Sequence, residues 1–504
     1  MAKFYLTTAI DYPNGEPHLG HALEKVGADC IARYRRLRGD DVHFLMGMDE
    51  NAQKVAQAAE QAGVPPVEWV RALAERFDAT WRRLHCSHDD WIRTTEPRHH
   101  RGTVALIERI RERNPDDVFT GEYEGLYCTG CEEFKQESQI IDGHCEEHPQ
   151  LELVRTKERN YFFRLSRYRD RILGLIRTGG LAVEPAIRRN EVVKVLEAGL
   201  QDISISRQRL AWGIPFPGDP DQTVYVWFDA LINYLAATGF PDAGYERLWP
   251  ADLHVIGKGI TRFHCIIWPA MLLSAGVALP GEVWAHGYVQ WGGAKVSKSA
   301  GTAVSLDDAI ARHGPDALRY FLLREVGFEA DGNFTWERFD ERYTADLADG
   351  LGNLASRSLA MIARYRAGRV PEGGGGTTLD ASGLAAVGRY GELMDRLDLR
   401  GAAEALGRLV TDANLYVQQS APWTLAKEGR ERELDEVLGA LGGCLYRLTV
   451  LAVPFIPGKA QALWQALGGR GEAAQAQWAS LERPPVAGTA TAKPEVLFPK
   501  PPSS

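Results

Sequence analysis

Apolar residues change their spacing several times along the chain, and each change marks an element. KFYLTTAI (3–10) is an apolar run of buried-strand length, LEKVGADCIARYRRL (23–37) has helix-spaced apolar positions that Gly39 stops, and VHFLMG (42–47) is a second strand. Such a unit joins parallel strands by a right-handed crossover, and ligands of such sheets sit beyond the strands' carboxyl ends. The turn DYPNGEPHLGH (11–21) occupies that edge. Downstream, TVYVWF (223–228), LHVIG (253–257) and VWAHGYV (283–289) read as strands and ITRFHCIIWPAML (260–272) as a helix. The predicted class is α/β, with a parallel sheet in two halves, 1–117 and 222–299, split by an insertion at 118–221. A connecting segment, 300–345, leads to a helix bundle over 346–486, whose first two helices flank a long flexible connection, GRVPEGGGGTTLDASG (368–383). A Pro-rich tail, 487–504, ends the chain.

Length supports this division, since 504 residues exceed the ~250–300 at which single cores stop growing. With 45% hydrophobic and 25% charged residues, the composition excludes disordered, collagen-like and disulfide-dense classes. No apolar run approaches the ~18 residues of a bilayer span, and MAKFYLTTAI lacks the apolar stretch of a signal peptide, so a cytoplasmic protein is expected. The balance of 58 basic against 67 acidic residues, net −9, argues against a general polyanion-coating surface; any nucleic-acid contact must use local patches. Arg33, Arg35, Arg36 and Arg38 read as a solvated helix face.

Three segments carry candidate chemistry. His18-Leu19-Gly20-His21 opens the first helix, placing two imidazoles beside unpaired helix N–H groups, where phosphate is the natural guest. Lys295-Val296-Ser297-Lys298-Ser299 puts two ammonium groups and two hydroxyls in a glycine-flanked loop suited to clamping a triphosphate. Cys128-x2-Cys131 with Cys145-x2-His148 offers three thiolates and an imidazole, a closed tetrahedral set for one structural Zn2+ within a knuckle at about 125–152. His144 is an alternative fourth ligand. Cys30, Cys86, Cys265 and Cys444 are isolated and expected to be buried.

HLGH after a first strand and KVSKS after a last one resemble the paired signatures of class I aminoacyl-tRNA synthetases. TTAIDYPNGEPHLGHALEKVGAD, FLMGMDE, YVWFDALINY, IGKGITRFHCIIWPAM, LGNLASR and SAPW resemble, in that order, the successive motifs of the methionyl-tRNA synthetase family, from residue 7 to 423. The resemblance implies a Rossmann-like catalytic domain, a zinc-binding insertion, a stem-contact segment and an anticodon-binding bundle. The activity it implies is ATP-dependent ligation of methionine to tRNA(Met), with Mg2+ accompanying ATP, in initiation as in elongation. It assigns His18, His21, Lys295 and Lys298 to catalysis, and these with Gly20, Gly257 and Ser297 to ATP. Asp49 would pair with the methionine ammonium. Ala9, Ile10, Tyr12, Trp227, Ala230, Leu231, Tyr234, Ile260, His264 and Trp268 would line the side-chain pocket, whose aromatic walls suit a polarizable thioether. His264 and Trp268 are i,i+4, with Ile260 a turn earlier. Asn353, Arg357 and Trp423 would read the anticodon, offering base-edge bonds and a stacking surface. No appended tRNA-binding module follows VLFPK (496–500), and a monomer is expected.

Some positions depart from the family's usual pattern. Asn51 and Ala52 stand where His-Gly is common, Val296 replaces a methionine, and Gly259 stands where many members carry an aspartate that meets the ATP ribose. A cysteinyl or leucyl synthetase fits less well, given YVWFDALINY, the single knuckle and no room for a large editing domain. A small-molecule adenylyltransferase would not need the helical domain, and a zinc-containing RNA-binding protein without catalysis would not need both signatures.

Overall fold

Alternation along the first strand sets the layers of the fold. In β1 (Lys3–Thr8), Tyr5 and Leu6 point to opposite faces and enter different apolar clusters. In β2 (Asp41–Met48), Leu45 joins the Tyr5 side, while Phe44, Met46 and Met48 join the Leu6 side. The helix between them, α1 (Leu19–Leu37), buries most of its length. The computed structural model describes residues 2–13, 15–128, 133–135, 140–146, 148–208, 212–291, 294–295, 305–492 and 495–500.

With β3 (Asp90–Arg93), β4 (Ala182–Glu184), β5 (Leu253–Gly257) and β6 (Glu282–His286), the sheet runs β4-β6-β5-β1-β2-β3, every neighbouring pair parallel. Direction of travel reverses between β1 and β5, and this switch opens a crevice at the carboxyl edge. β4 corrects the expected division, because it lies inside 118–221 yet forms an edge of the main sheet. A strand as short as Ala-Val-Glu has no periodicity to read. TVYVWF also divides: Asp219–Val224 pairs with Ser206–Gln208 and Pro215–Phe216 in a separate antiparallel sheet, and Val226–Asp229 is helical. A short apolar run does not by itself distinguish strand from buried helix. The insertion's long hairpin joins Val118–Cys128 to Val154–Phe163. Beyond it, Ile140–Ile141, His144–Cys145 and His148–Glu152 form a small sheet.

The bundle contains helices Asn353–Arg366, Thr378–Asp395, Leu399–Ser420, Glu431–Ala452 and Pro457–Ala466. Its core is continuous with the Leu6 side of the sheet, through α1. The glycine-rich connection is not a free linker: Gly374, at φ +87°, lies so close to the 431–452 helix that a Cβ would stand 2.2 Å from the Ala440 nitrogen. Four glycines suggest flexibility by composition, whereas here one is needed for close backbone approach. The arginine run of α1 is likewise engaged rather than merely solvated. Arg33 pairs with Asp29, Arg36 with Asp89, Arg35 lies over Phe4, and Arg38 lies over Trp478. Behind them Arg319, fully buried, pairs with Asp29 at 2.7 Å and donates to the carbonyls of Leu84, Pro454 and Phe455, joining α1 to the bundle. Cys30, Cys86, Cys265 and Cys444 are buried, as expected.

Candidate active site

His18 caps α1: its Nδ1 accepts from the Gly20 and His21 amides at 3.1 and 3.4 Å, and His21 Nδ1 accepts from the His18 amide. In the neutral rings this leaves each proton on Nε2. The rings stack 3.7 Å apart. A Cβ on Gly20 would stand 2.9 Å from the capping ring, so a side chain there would displace His18. An antiparallel bridge joins His18 to Ser305, bringing the far end of the lysine-bearing loop to the start of α1. Lys295 pairs in backbone register with Gln290 at the loop's other end. Val296, Ser297, Lys298 and Ser299 lie outside the described residues.

One turn along α1 from His21 lies a buried charge cluster that the motif reading missed. Lys25 Nζ donates to the Ala9 carbonyl at 2.7 Å and pairs with Glu24 at 2.6 Å and Asp11 at 3.0 Å. Trp81 Nε1 donates to Asp11, and Glu24 meets His286 at 3.2 Å. Burial alone would raise the Glu24 carboxyl, but Lys25 and His286 outweigh it and hold it near 2. Burial is likewise the largest influence on Lys25, opposing its charge, yet Asp11 and Glu24 leave its pKa raised. A charged pair flanked by Leu23 and Val26 on the apolar face was the available signal.

The residues assigned to a methionine pocket lie in or against two apolar clusters, Tyr12 and Trp227 packing against the smaller one. Ala9, Leu231, Tyr234 and Trp268 share one cluster, with Ile10 and Ile260 against it, and Ala230 is buried beside Leu231. Tyr12 stacks on Trp227, and Trp227 on Phe263, which the sequence reading had not included. A π-helical turn, Phe263–Ile267, presents His264; such bulges are frequent at functional sites. His264 Nδ1 donates to the Ile260 carbonyl at 3.0 Å, so neutral Nε2 accepts from the Tyr234 hydroxyl at 2.7 Å. Burial lowers His264 to about 4, keeping it neutral. Behind it His254, also lowered by burial, accepts from Trp268 Nε1 and donates to Thr7 Oγ1. Asp49 is buried, and its amide donates to the Asp11 carbonyl at 2.8 Å, fixing it beside the end of β1.

Two departures acquire physical reasons. Asn51 donates to the Thr94 carbonyl and to Asp229, whose other oxygen meets His99, so an amide serves a buried network there. At Gly259 a Cβ would stand 2.2 Å from the Tyr288 hydroxyl. Gly257 ends β5 between this turn and the buried Glu24.

Cys128 and Cys145 are both buried, and Cys145 lies opposite His148 in backbone register. Cys131 lies outside the described residues, among which no group of metal-binding side chains gathers. Asn353 is exposed, Arg357 half-buried and Trp423 46% exposed, all on the bundle. No helix of the described residues is long and apolar enough to cross a membrane.

The profile of class I tRNA synthetases (M) matches residues 4–152 and 137–359, and that of the anticodon binding domain of methionyl tRNA ligase matches 370–502. The methionine–tRNA ligase of Thermotoga maritima is 42% identical over 90% of this chain and 73% of its own length. That of Brucella suis is 41% identical over 99% and 98%. The chain belongs to the methionyl-tRNA synthetase family. Its activity is that of a class I ligase joining methionine to tRNA. The Mycobacterium tuberculosis methionyl-tRNA synthetase in complex with methionyl-adenylate superposes with a TM-score of 0.94 at 40% identity, covering 99% of this chain and all of that one. Its apo form gives 0.87 at 36% identity, over 100% of this chain and 99% of its own.

Proposed function

We propose that the crevice between β1 and β5 forms methionyl-adenylate from methionine and Mg-ATP and then transfers methionine to the terminal adenosine of tRNA(Met), for initiation as for elongation. The observation that carries this reading is the His18–Ser305 bridge, which brings the residue leading into the helix after the second signature to the N-terminus of α1 at the first. The methionine carboxylate attacks the α-phosphorus, and pyrophosphate leaves. His18 and His21 offer Nε2–H donors to the phosphates, Gly20 and Gly257 allow close backbone approach, and Lys295, Ser297 and Lys298 meet the departing pyrophosphate. Mg2+ supplies charge neutralisation on the phosphates. Asp49 holds the methionine ammonium. Ala9, Ile10, Tyr12, Trp227, Ala230, Leu231, Tyr234, Ile260, His264 and Trp268 enclose the side chain, with Phe263 as a further wall. Asn353, Arg357 and Trp423 read the anticodon, and the exposure of Asn353 and Trp423 supports this.

Cys128, Cys131, Cys145 and His148 hold one structural Zn2+. Cys128 and Cys145, both buried and terminating strands of adjoining sheets, support this assignment. Residue 144 faces away from the buried side of its strand and its ring meets the Leu151 carbonyl, which favours His148 over His144. The protein acts as a cytoplasmic monomer, which light scattering checks for its oligomeric part. The decisive experiment is ATP–pyrophosphate exchange with each of the twenty amino acids. Exchange driven by methionine alone is expected; none with any amino acid would remove the reading.

A further inference from the structure

The carboxyl ends of β1, β5 and β6 share one edge of the sheet. A nucleotide with its phosphates at the start of α1, which follows β1, spreads its nucleoside over the neighbouring strand ends. Those ends carry Gly257, Lys258 and Gly259 after β5, and Gly287 and Tyr288 after β6. Gly259 is exposed and lies outside the left-handed region, so its backbone conformation does not call for glycine. What does is Tyr288, whose hydroxyl fills the space where a side chain at 259 would begin.

Tyr288 is held from several sides. Its amide donates to Asp331 Oδ1 at 2.9 Å, and its carbonyl accepts from the Gly332 amide at 3.0 Å. Lys258 Nζ lies 4.5 Å from the ring centre while pairing with Asp331 Oδ2 at 2.7 Å. Half-buried and anchored in this way, the phenol places a hydroxyl directly beside Gly259, which presents only backbone. We infer that Tyr288 recognises a ribose hydroxyl of ATP, taking the place that a polar side chain at 259 would otherwise occupy. This rests on the ATP reading above, and it makes Tyr288 a specificity determinant for ribonucleotides.

The test compares wild type and Tyr288→Phe in methionine-dependent pyrophosphate exchange with ATP, 2′-deoxy-ATP and 3′-deoxy-ATP. Phenylalanine keeps the ring beside Lys258 and removes only the hydroxyl. One neutral hydrogen bond predicts a KM for ATP raised about two- to tenfold, with the KM for methionine unchanged. With the deoxynucleotide that lacks the contacted hydroxyl, the two proteins should have equal KM. Gly259→Ala, whose Cβ would displace the phenol, should reproduce the loss and add nothing to Tyr288→Phe. Equal KM values for ATP, or the same penalty with all three nucleotides, would overturn the inference while leaving the ATP reading intact. No exchange by wild type with any nucleotide would overturn both.

Discussion

Replacing Arg319 by methionine tests how the bundle is fixed to the catalytic helix. The change keeps most of the aliphatic stem and removes a guanidinium that pairs with Asp29 at 2.7 Å and donates to the Leu84, Pro454 and Phe455 carbonyls at 3.0, 2.7 and 3.1 Å. Breaking a buried pair from one side costs about 3–5 kcal/mol, mainly because the remaining charge stays buried. Here Asp29 still accepts from Arg33 at 2.8 Å and from the Ser87 amide and hydroxyl at 2.6 Å, so its charge is not abandoned. The three carbonyls lose their donor in full, and the lower end of that range, about 3 kcal/mol, is expected. Urea unfolding followed by tryptophan fluorescence should show an earlier first transition, since contacts between α1 and the bundle are lost. Combining Arg319→Met with Asp29→Asn should cost less than the sum of the single changes, because the partners share one network. A shift below about 0.5 kcal/mol, or strict additivity, would refute the assignment of Arg319 as the joint between these parts.

Three further outcomes follow from other parts of the molecule. His264 is held near 4 by burial, below its unfolded value of about 6.5, so its neutral form is favoured on folding. Stability is therefore full above about pH 6.5 and falls as pH drops toward 4, by about 2 kcal/mol at pH 5; in His264→Asn, melting curves across this window should flatten, and an unchanged pH slope would count against it. Trp423→Ala removes an exposed stacking surface and should leave pyrophosphate exchange unchanged while lowering tRNA charging by the ~1–3 kcal/mol of one stacked base; normal charging kinetics would take Trp423 out of the anticodon contact. Native mass spectrometry should find one zinc per chain, lost in Cys128→Ser together with order in the 118–163 hairpin by hydrogen exchange; a metal-free wild type purified with zinc present would sink the knuckle.

Much of this protein is written in residues a few positions apart. The apolar runs KFYLTTAI and VHFLMG marked two strands of the sheet, and helix spacing marked α1 and the bundle, because neighbouring residues set the period of an element. The signatures HLGH and KVSKS were legible for a related reason: the chemistry they require restricts residue type and local spacing. Tertiary structure decided what depends on partners far along the chain. It placed β4 in the main sheet, packed the glycine-rich connection on the helix at Ala440, and set Arg319 between Asp29 and the bundle. It explained Gly259 through Tyr288, twenty-nine residues away. Local sequence encodes periodicity and turn chemistry, whereas the partner of a buried charge or the occupant of a glycine's empty side is chosen only when distant segments pack together.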